Sequence, residues 1–241
     1  MAGTFLLLSL YLQMVQGFSP LTAGLFLVPM NVAMAVASNV TPHLAKRFRP
    51  ANLMAAGLVV AAAGLLLITR VESTGSLPTL MVGFTLASVG IAVPSVIGIG
   101  LVMGSVPPEK AGSASGISET SGELGIALGV ATIGSLAGAV YRNQISPPVE
   151  VPGDLADTAR ESIVGAVTAA GELPGPVGAD LLASAEDAFT TGLNLAGGLG
   201  AALFLVMAVV AVTMLRNIGS APSDDEDQHV DRSESPVGEC A

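Results

Sequence analysis

Five stretches of this chain, roughly residues 20–44, 51–69, 78–103, 113–140 and 192–215, each run for about 20 residues or more with very little charge. That is the length a helix rising about 1.5 Å per residue needs to cross the roughly 30 Å hydrocarbon core of a bilayer. A sixth run, residues 5–16 (FLLLSLYLQMVQ), has the composition of a span at about two thirds of the required length. It lacks the basic n-region and small-residue cleavage site of a signal peptide, and is expected to be a span cut short by the chain start. The expected fold is an all-α, polytopic membrane bundle of six transmembrane helices. Five lie within residues 1–141 and the last within 191–216.

Composition excludes a water-soluble alternative. Of the 241 residues, 51% are apolar and 12% charged, where a soluble domain carries about a quarter charged. The net charge of −10 is concentrated in two places. One is the segment 142–190, where Glu150, Asp154, Asp157, Glu161, Glu172, Asp180, Glu186 and Asp187 face only Arg142 and Arg160; the other is the tail from Arg216 onward. The remainder is nearly neutral, so nothing basic enough to bind nucleic acid is left. Cys240 is the only cysteine, which rules out an intramolecular disulfide or a thiolate cluster.

Short basic loops stay in the cytoplasm. Lys46, Arg47, Arg49, Lys110 and Arg216 fall on one side by helix parity, so that side is read as cytoplasmic. Arg70 and the acidic segment 142–190 then face out. Within that segment Leu155, Ala159, Ile163, Ala166 and Val167 recur at helical spacing. The pattern fits one surface helix over residues 154–169, broken by Pro174 and Pro176, with a second helix from about Gly178 running through Phe189 into the last span. It fits a mobile acidic loop as well. The acidic, aromatic-free tail 217–241 is expected to be disordered and cytoplasmic.

The span 113–140 carries the polar chemistry. Gly122, Gly125 and Gly129 form a stripe within roughly 60° of arc, which is expected to face another helix, because small residues let backbones approach closely in lipid. Glu119 and Glu123 adjoin that stripe, four residues apart. Counted from Ser113 they lie roughly 9 and 15 Å into the membrane. A carboxylate at such depth is costly unless solvated or paired, and it commonly marks an ion or proton path. Burial disfavours the charged form, which suits a group that takes up and releases protons. Hydrogen bonding to a neighbouring helix is the plainer role for each. No basic residue in the spans could neutralise either one, so the partner is a proton, a cationic substrate or a group outside this chain. Pro29 and Pro94 interrupt helical hydrogen bonding inside spans, and Asn31 adds polar atoms beside Pro29. All three fit a substrate-cavity wall or ordinary helix packing.

Enzyme chemistry finds no support. His43 and His229 are the only histidines, so no helix face carries a metal-binding pair, and no phosphate-binding glycine loop with its lysine is present. No cofactor is expected.

Three runs carry a resemblance: YLQMVQGFSPLTAGLFLVP (11–29), VPPEKAGSASGISETSGELGIALGVATIGS (106–135) and DAFTTGLNLA (187–196). They resemble the carboxy-terminal half of the major facilitator superfamily, in the fourteen-helix drug:proton antiporter branch of QacA-like multidrug exporters. The resemblance spans residues 1–215 and is most specific around SETSGELG. It implies that the spans are helices nine to fourteen, with Glu119 and Glu123 in the thirteenth, and that an amino-terminal half is missing. One departure is the run AKRFRP, where Lys46 stands in place of an aspartate often seen in the family. The resemblance implies a proton-coupled exporter of hydrophobic or cationic small molecules, partnered by membrane lipid, protons, substrate and the missing half. The alternatives are an exporter of one specific metabolite or lipid, or a non-transporting membrane fragment or scaffold.

Overall fold

The computed structural model describes residues 2–70 and 77–215, apart from the side chain of Leu215. Arg216, His229, Cys240 and the tail expected to be disordered lie outside the described residues. All regular elements among the described residues are helical. In chain order they are α1 (Ala2–Leu10), continued by one π-helical stretch (Tyr11–Val15), α2 (Pro20–Ala45), α3 (Pro50–Ile68), α4 (Leu77–Gly104), a 3-10 turn (Pro108–Lys110), α5 (Ala111–Gln144), α6 (Gly153–Glu161), α7 (Ile163–Gly171) and α8 (Gly175–Leu215). Five of these helices are long and apolar enough to cross a membrane, and the run Ala2–Val15 is shorter.

Local chemistry sets the boundaries. Gly17 holds φ at 66°, a backbone shape that costs glycine little, and so turns the chain after the π stretch. Ser19 then caps α2, its hydroxyl accepting from the Thr22 amide at 3.2 Å, with Pro20 at the first helical position where no amide hydrogen is needed. Polar side chains in the apolar helices bond to their own backbone one turn back: Asn31 Nδ2 donates to the Leu27 carbonyl at 2.9 Å and Asn39 Nδ2 to that of Ala35 at 2.8 Å. Thr41 donates to the Ala37 carbonyl at 2.7 Å. This satisfies donors that lipid cannot.

The best-packed seam joins α3 and α4, which run antiparallel. Gly57 and Gly64 on α3 meet Gly90 and Gly83 on α4. A Cβ on Gly57 would stand 2.7 Å from the Gly90 carbonyl oxygen, and one on Gly83 would stand 2.8 Å from that of Gly64. No side chain fits at those separations. Pro94 lies in the same seam, its Cδ 3.1 Å from where a Gly57 Cβ would be. Pro94 cannot donate to the Gly90 carbonyl one turn back, and this is the carbonyl that faces Gly57. A second close approach sets α8 against α3, where a Cβ on Gly197 would come 3.0 Å from the Leu65 carbonyl.

Helix α8 has 41 residues, roughly 60 Å at 1.5 Å per residue, so it outruns the bilayer at one end. There it joins α6 and α7 in a small helical cap. Ala156, Ala159, Ile163, Ala166 and Ala169 are buried together with Leu181, Ala185 and Ala188 of α8. The Tyr141 hydroxyl donates to the Ala159 carbonyl at 2.8 Å, and the Ser146 amide donates to Ser184 Oγ at 3.0 Å. These bonds fasten the cap to the end of α5. The acidic side chains Glu150, Asp154, Asp157, Glu161, Glu172 and Asp180 stay exposed.

The cap corrects two expectations for the acidic segment. It is folded rather than a loop, and the single helix expected over residues 154–169 is broken at Ser162. That residue is extended (φ −164°, ψ 162°) and caps α7, its hydroxyl accepting from the Gly165 amide at 3.1 Å. The break folds α7 back on α6 closely enough that a Cβ on Gly165 would strike the Thr158 carbonyl. The apolar positions on both sides of Ser162 can thereby reach one core, which a single straight helix over residues 154–169 would spread along its length. The next helix begins at Gly175, a turn before the expected Gly178.

Candidate functional site

Helix α5 is, with α2, the least covered of the spans. Only Ala137 and Tyr141, both in its last turns, are buried. Its last turns pack on α8, where a Cβ on Gly192 would stand 3.1 Å from the Ala137 carbonyl. Its middle meets α1, where a Cβ on Gly3 would stand 2.8 Å from the Gly129 carbonyl. Towards the amino-terminal end these contacts cease. Nothing lies within 4 Å of where a Cβ on Gly122 or Gly125 would point.

That open half carries both glutamates. Glu119 and Glu123 line a cleft of about 300 Å³ between α4 and α5, with Ser115, Ser118 and Gly122 beside them and Ile99 and Met103 opposite. The four-residue spacing places the two carboxylates one above the other on a single helix face. Thr120, on the adjoining face, donates to the Gly116 carbonyl at 2.8 Å. Among the described residues neither glutamate has a hydrogen bond or ion-pair partner, and both are exposed to solvent in this chain.

The other residues expected to act here lie elsewhere. Pro29, Asn31 and Pro94 do not line the cleft. Pro29 and Asn31 sit on the exposed part of α2, while Pro94 is half-buried in the α3–α4 seam. Gly129 borders the α1 contact. The sequence reading missed the structural glycines Gly57, Gly64, Gly83 and Gly90, although a signal was present: a pair seven residues apart in each of two consecutive spans. It also missed the π-helical stretch at Tyr11–Val15, a feature often placed at functional sites, whose composition marks nothing unusual. There the Gln16 amide donates to the Tyr11 hydroxyl at 3.1 Å.

The described arrangement is a bundle with an open cleft, two unpartnered carboxylates and small residues on the exposed helix. It can bind and release a proton or a cation where water or a partner helix reaches the cleft. Comparisons agree with that architecture. The chain is 36% identical over 214 residues to multidrug efflux pump LfrA of Mycolicibacterium smegmatis, covering 89% of this chain and 42% of that protein. It is 30% identical over 217 residues to the tetracenomycin C resistance and export protein of Streptomyces glaucescens, covering 87% and 40% respectively. It is 30% identical over 215 residues to the methyl viologen resistance protein SmvA of Salmonella typhimurium, covering 87% and 42%. The chain thus spans about two fifths of the length of these relatives. The family model described as Major Facilitator Superfamily matches residues 1–130, more than half of the chain, and with the multi-pass helical bundle this shows that the chain belongs to that superfamily of membrane transporters.

Proposed function

We propose that this chain is the carboxy-terminal part of a proton-coupled exporter of hydrophobic or cationic small molecules, in which Glu123 is the principal proton-carrying group. The observation that carries the reading is the cleft between α4 and α5. Two carboxylates share it, no cation among the described residues pairs with them, and the half of the helix that bears them has no buried residue. The names of the relatives, which are efflux, resistance and export proteins, support the direction of transport. A missing amino-terminal half, of about eight further spans in a fourteen-helix transporter, would close the cleft from the other side, as transporter cavities form between repeats.

Glu123 lies deeper than Glu119 by about one helical turn, roughly 6 Å. Charge on the deeper group is harder to solvate, so its protonation is coupled more tightly to what else occupies the cavity. Pro29 and Asn31 on α2, and the small face of Gly122, Gly125 and Gly129, belong in this reading to surfaces that meet the missing half or the substrate. In the complete transporter, Glu123→Gln keeps shape and hydrogen bonding but cannot ionise. It is expected to abolish pH-gradient-driven efflux from everted vesicles, normalised to inserted protein, while Glu119→Gln does less. Wild-type efflux in Glu123→Gln would remove the residue from the mechanism.

The basic loop at Lys46, Arg47 and Arg49 and the acidic cap lie at opposite ends of the bundle in this reading, with the loop and the carboxyl terminus cytoplasmic in a cell membrane. In intact cells, with Cys240 replaced, Gly171→Cys should label with an impermeant thiol reagent and Arg49→Cys should not. The reverse pattern would invert the orientation.

A further inference from the structure

At the capped end of the bundle a slot of about 190 Å³ opens between α1, α5 and the junction of α6 with α7. Leu7 and Leu10 wall it on one side and Gly134 and Gly138 on the other, with Glu161 and Ser162 at its cap end. The two glycines make the space. A Cβ on Gly134 would meet nothing within 4 Å, and one on Gly138 would meet only the Arg142 guanidinium, at 3.5 Å. From Gly134 to Tyr141 the slot follows α5 for about 10 Å. It is mostly apolar along that length and turns polar at Glu161 and Ser162.

The polar end holds two opposite charges. The Arg142 guanidinium stands over Gly138 at the edge of the slot, and Glu161 lines the slot itself; both side chains are exposed. Among the described residues neither has a hydrogen-bond or ion-pair partner, whereas the neighbouring Arg160 is held by Asp157 at 3.1 Å. An apolar groove ending in one cation and one anion is complementary to a lipid whose headgroup carries both signs.

We propose that this slot is a binding site for a zwitterionic aminophospholipid, with the headgroup-proximal part of one acyl chain between α1 and α5, the phosphate on Arg142 and the primary ammonium on Glu161. An anionic lipid would satisfy Arg142 but face Glu161 and the other exposed acids of the cap. A cationic amphiphile would satisfy Glu161 but set its charge beside Arg142. A choline headgroup carries both signs but has no N–H to donate to the carboxylate. The site requires only that the chain be embedded in a bilayer, so it stands or falls separately from proton-coupled export.

The test uses the chain in nanodiscs containing equal amounts of phosphatidylethanolamine and phosphatidylcholine with identical acyl chains. Lipid retained through detergent exchange is counted by native mass spectrometry, and circular dichroism checks folding. The expected result is an enrichment of phosphatidylethanolamine of about three- to tenfold, the size of one charge-assisted hydrogen bond at a partly wet interface. Glu161→Gln and Arg142→Gln should each reduce the enrichment to near parity, while Glu172→Gln, on the cap but off the slot, should leave it unchanged. Gly138→Leu fills the slot with both charges intact and should lower retention of both lipids. Equal retention of the two lipids by the unaltered chain overturns the proposal, and so does an enrichment that survives both charge substitutions. Displacement of the bound lipid by dodecyltrimethylammonium but not by lysophosphatidylethanolamine would make this a cation site and overturn it as well.

Discussion

The α3–α4 seam and the amino-terminal half of α5 are built from the same small residues and end in opposite situations. In α3, 44% of the most apolar stretch is buried, against 11% in the span that includes α5. Gly57, Gly64, Gly83 and Gly90 stand where backbones touch, while Gly122 and Gly125 face open space. Lipid offers no hydrophobic drive for helix association, so small residues are useful only where another backbone comes close. The α3–α4 glycines find that backbone within this chain. Of those on α5, Gly122 lines the cleft that holds both glutamates, on a chain that covers about two fifths of the length of its relatives. Small-residue spacing therefore identifies a face built for close approach and leaves the identity of the approaching partner undetermined.

The strongest way to break the comparison is to add a side chain in the closed seam. A Cβ on Gly90 would strike the Ala61 amide nitrogen and come 2.6 Å from the Gly57 carbonyl oxygen. Both are backbone atoms that cannot rotate away. Gly90→Val should separate α3 from α4 at a cost of about 3 kcal/mol or more, at the severe end of overpacking. The expected outcome is loss of the folded population in a detergent-unfolding assay followed by circular dichroism. A stability equal to the unaltered chain would mean that the seam is looser than these separations require.

A smaller effect is expected at the cap. Tyr141→Phe removes a hydroxyl that donates to the Ala159 carbonyl at 2.8 Å from a buried position. Losing one such bond costs about 1 kcal/mol. Because this bond fastens α6 to α5, the change should appear as faster hydrogen exchange over residues 153–171, with the α3–α4 seam unaffected. Uniform acceleration across both regions would show that cap and seam unfold as one unit.

How much of this was legible follows from what each feature depends on. The spans could be read because length and apolarity are local and the bilayer sets a fixed requirement for both. Glu119 and Glu123 could be placed on one helix face from their four-residue spacing, but Ile99 and Met103 across the cleft could not, since they come from another helix. The stop at Ser162 was not legible. Alanine-rich amphipathic sequence continues across it, and the break is favoured by burial against α8 and by a glycine three residues on. The seam of Gly57, Gly64, Gly83 and Gly90 was present as spacing, but spacing on one helix does not say which of the other helices supplies the matching glycine. The cap slot depends on Gly134 and Gly138 of α5 facing Glu161 across a chain reversal, a pairing no sequence window contains.

The smallest expected effect sharpens the comparison most. Gly122→Ala and Gly125→Ala place a methyl group where nothing lies within 4 Å, so the chain by itself has no clash to register. Alanine is the better helix former by up to about 1 kcal/mol in water-exposed helices. In the isolated chain the double substitution should leave detergent stability unchanged or slightly raised, in contrast to the collapse expected for Gly90→Val. The outcome in the complete transporter depends on what covers α5. If another helix packs there at backbone distance, each methyl opens the contact, and assembly or efflux falls although this half is as stable as before. If the face borders a water-filled cavity, assembly is preserved and only substrate preference shifts. Measuring stability of the chain together with assembly and efflux of the complete transporter separates the two. A loss of stability in the isolated chain would refute the contrast itself, because it would show that α5 already has a close neighbour on that face.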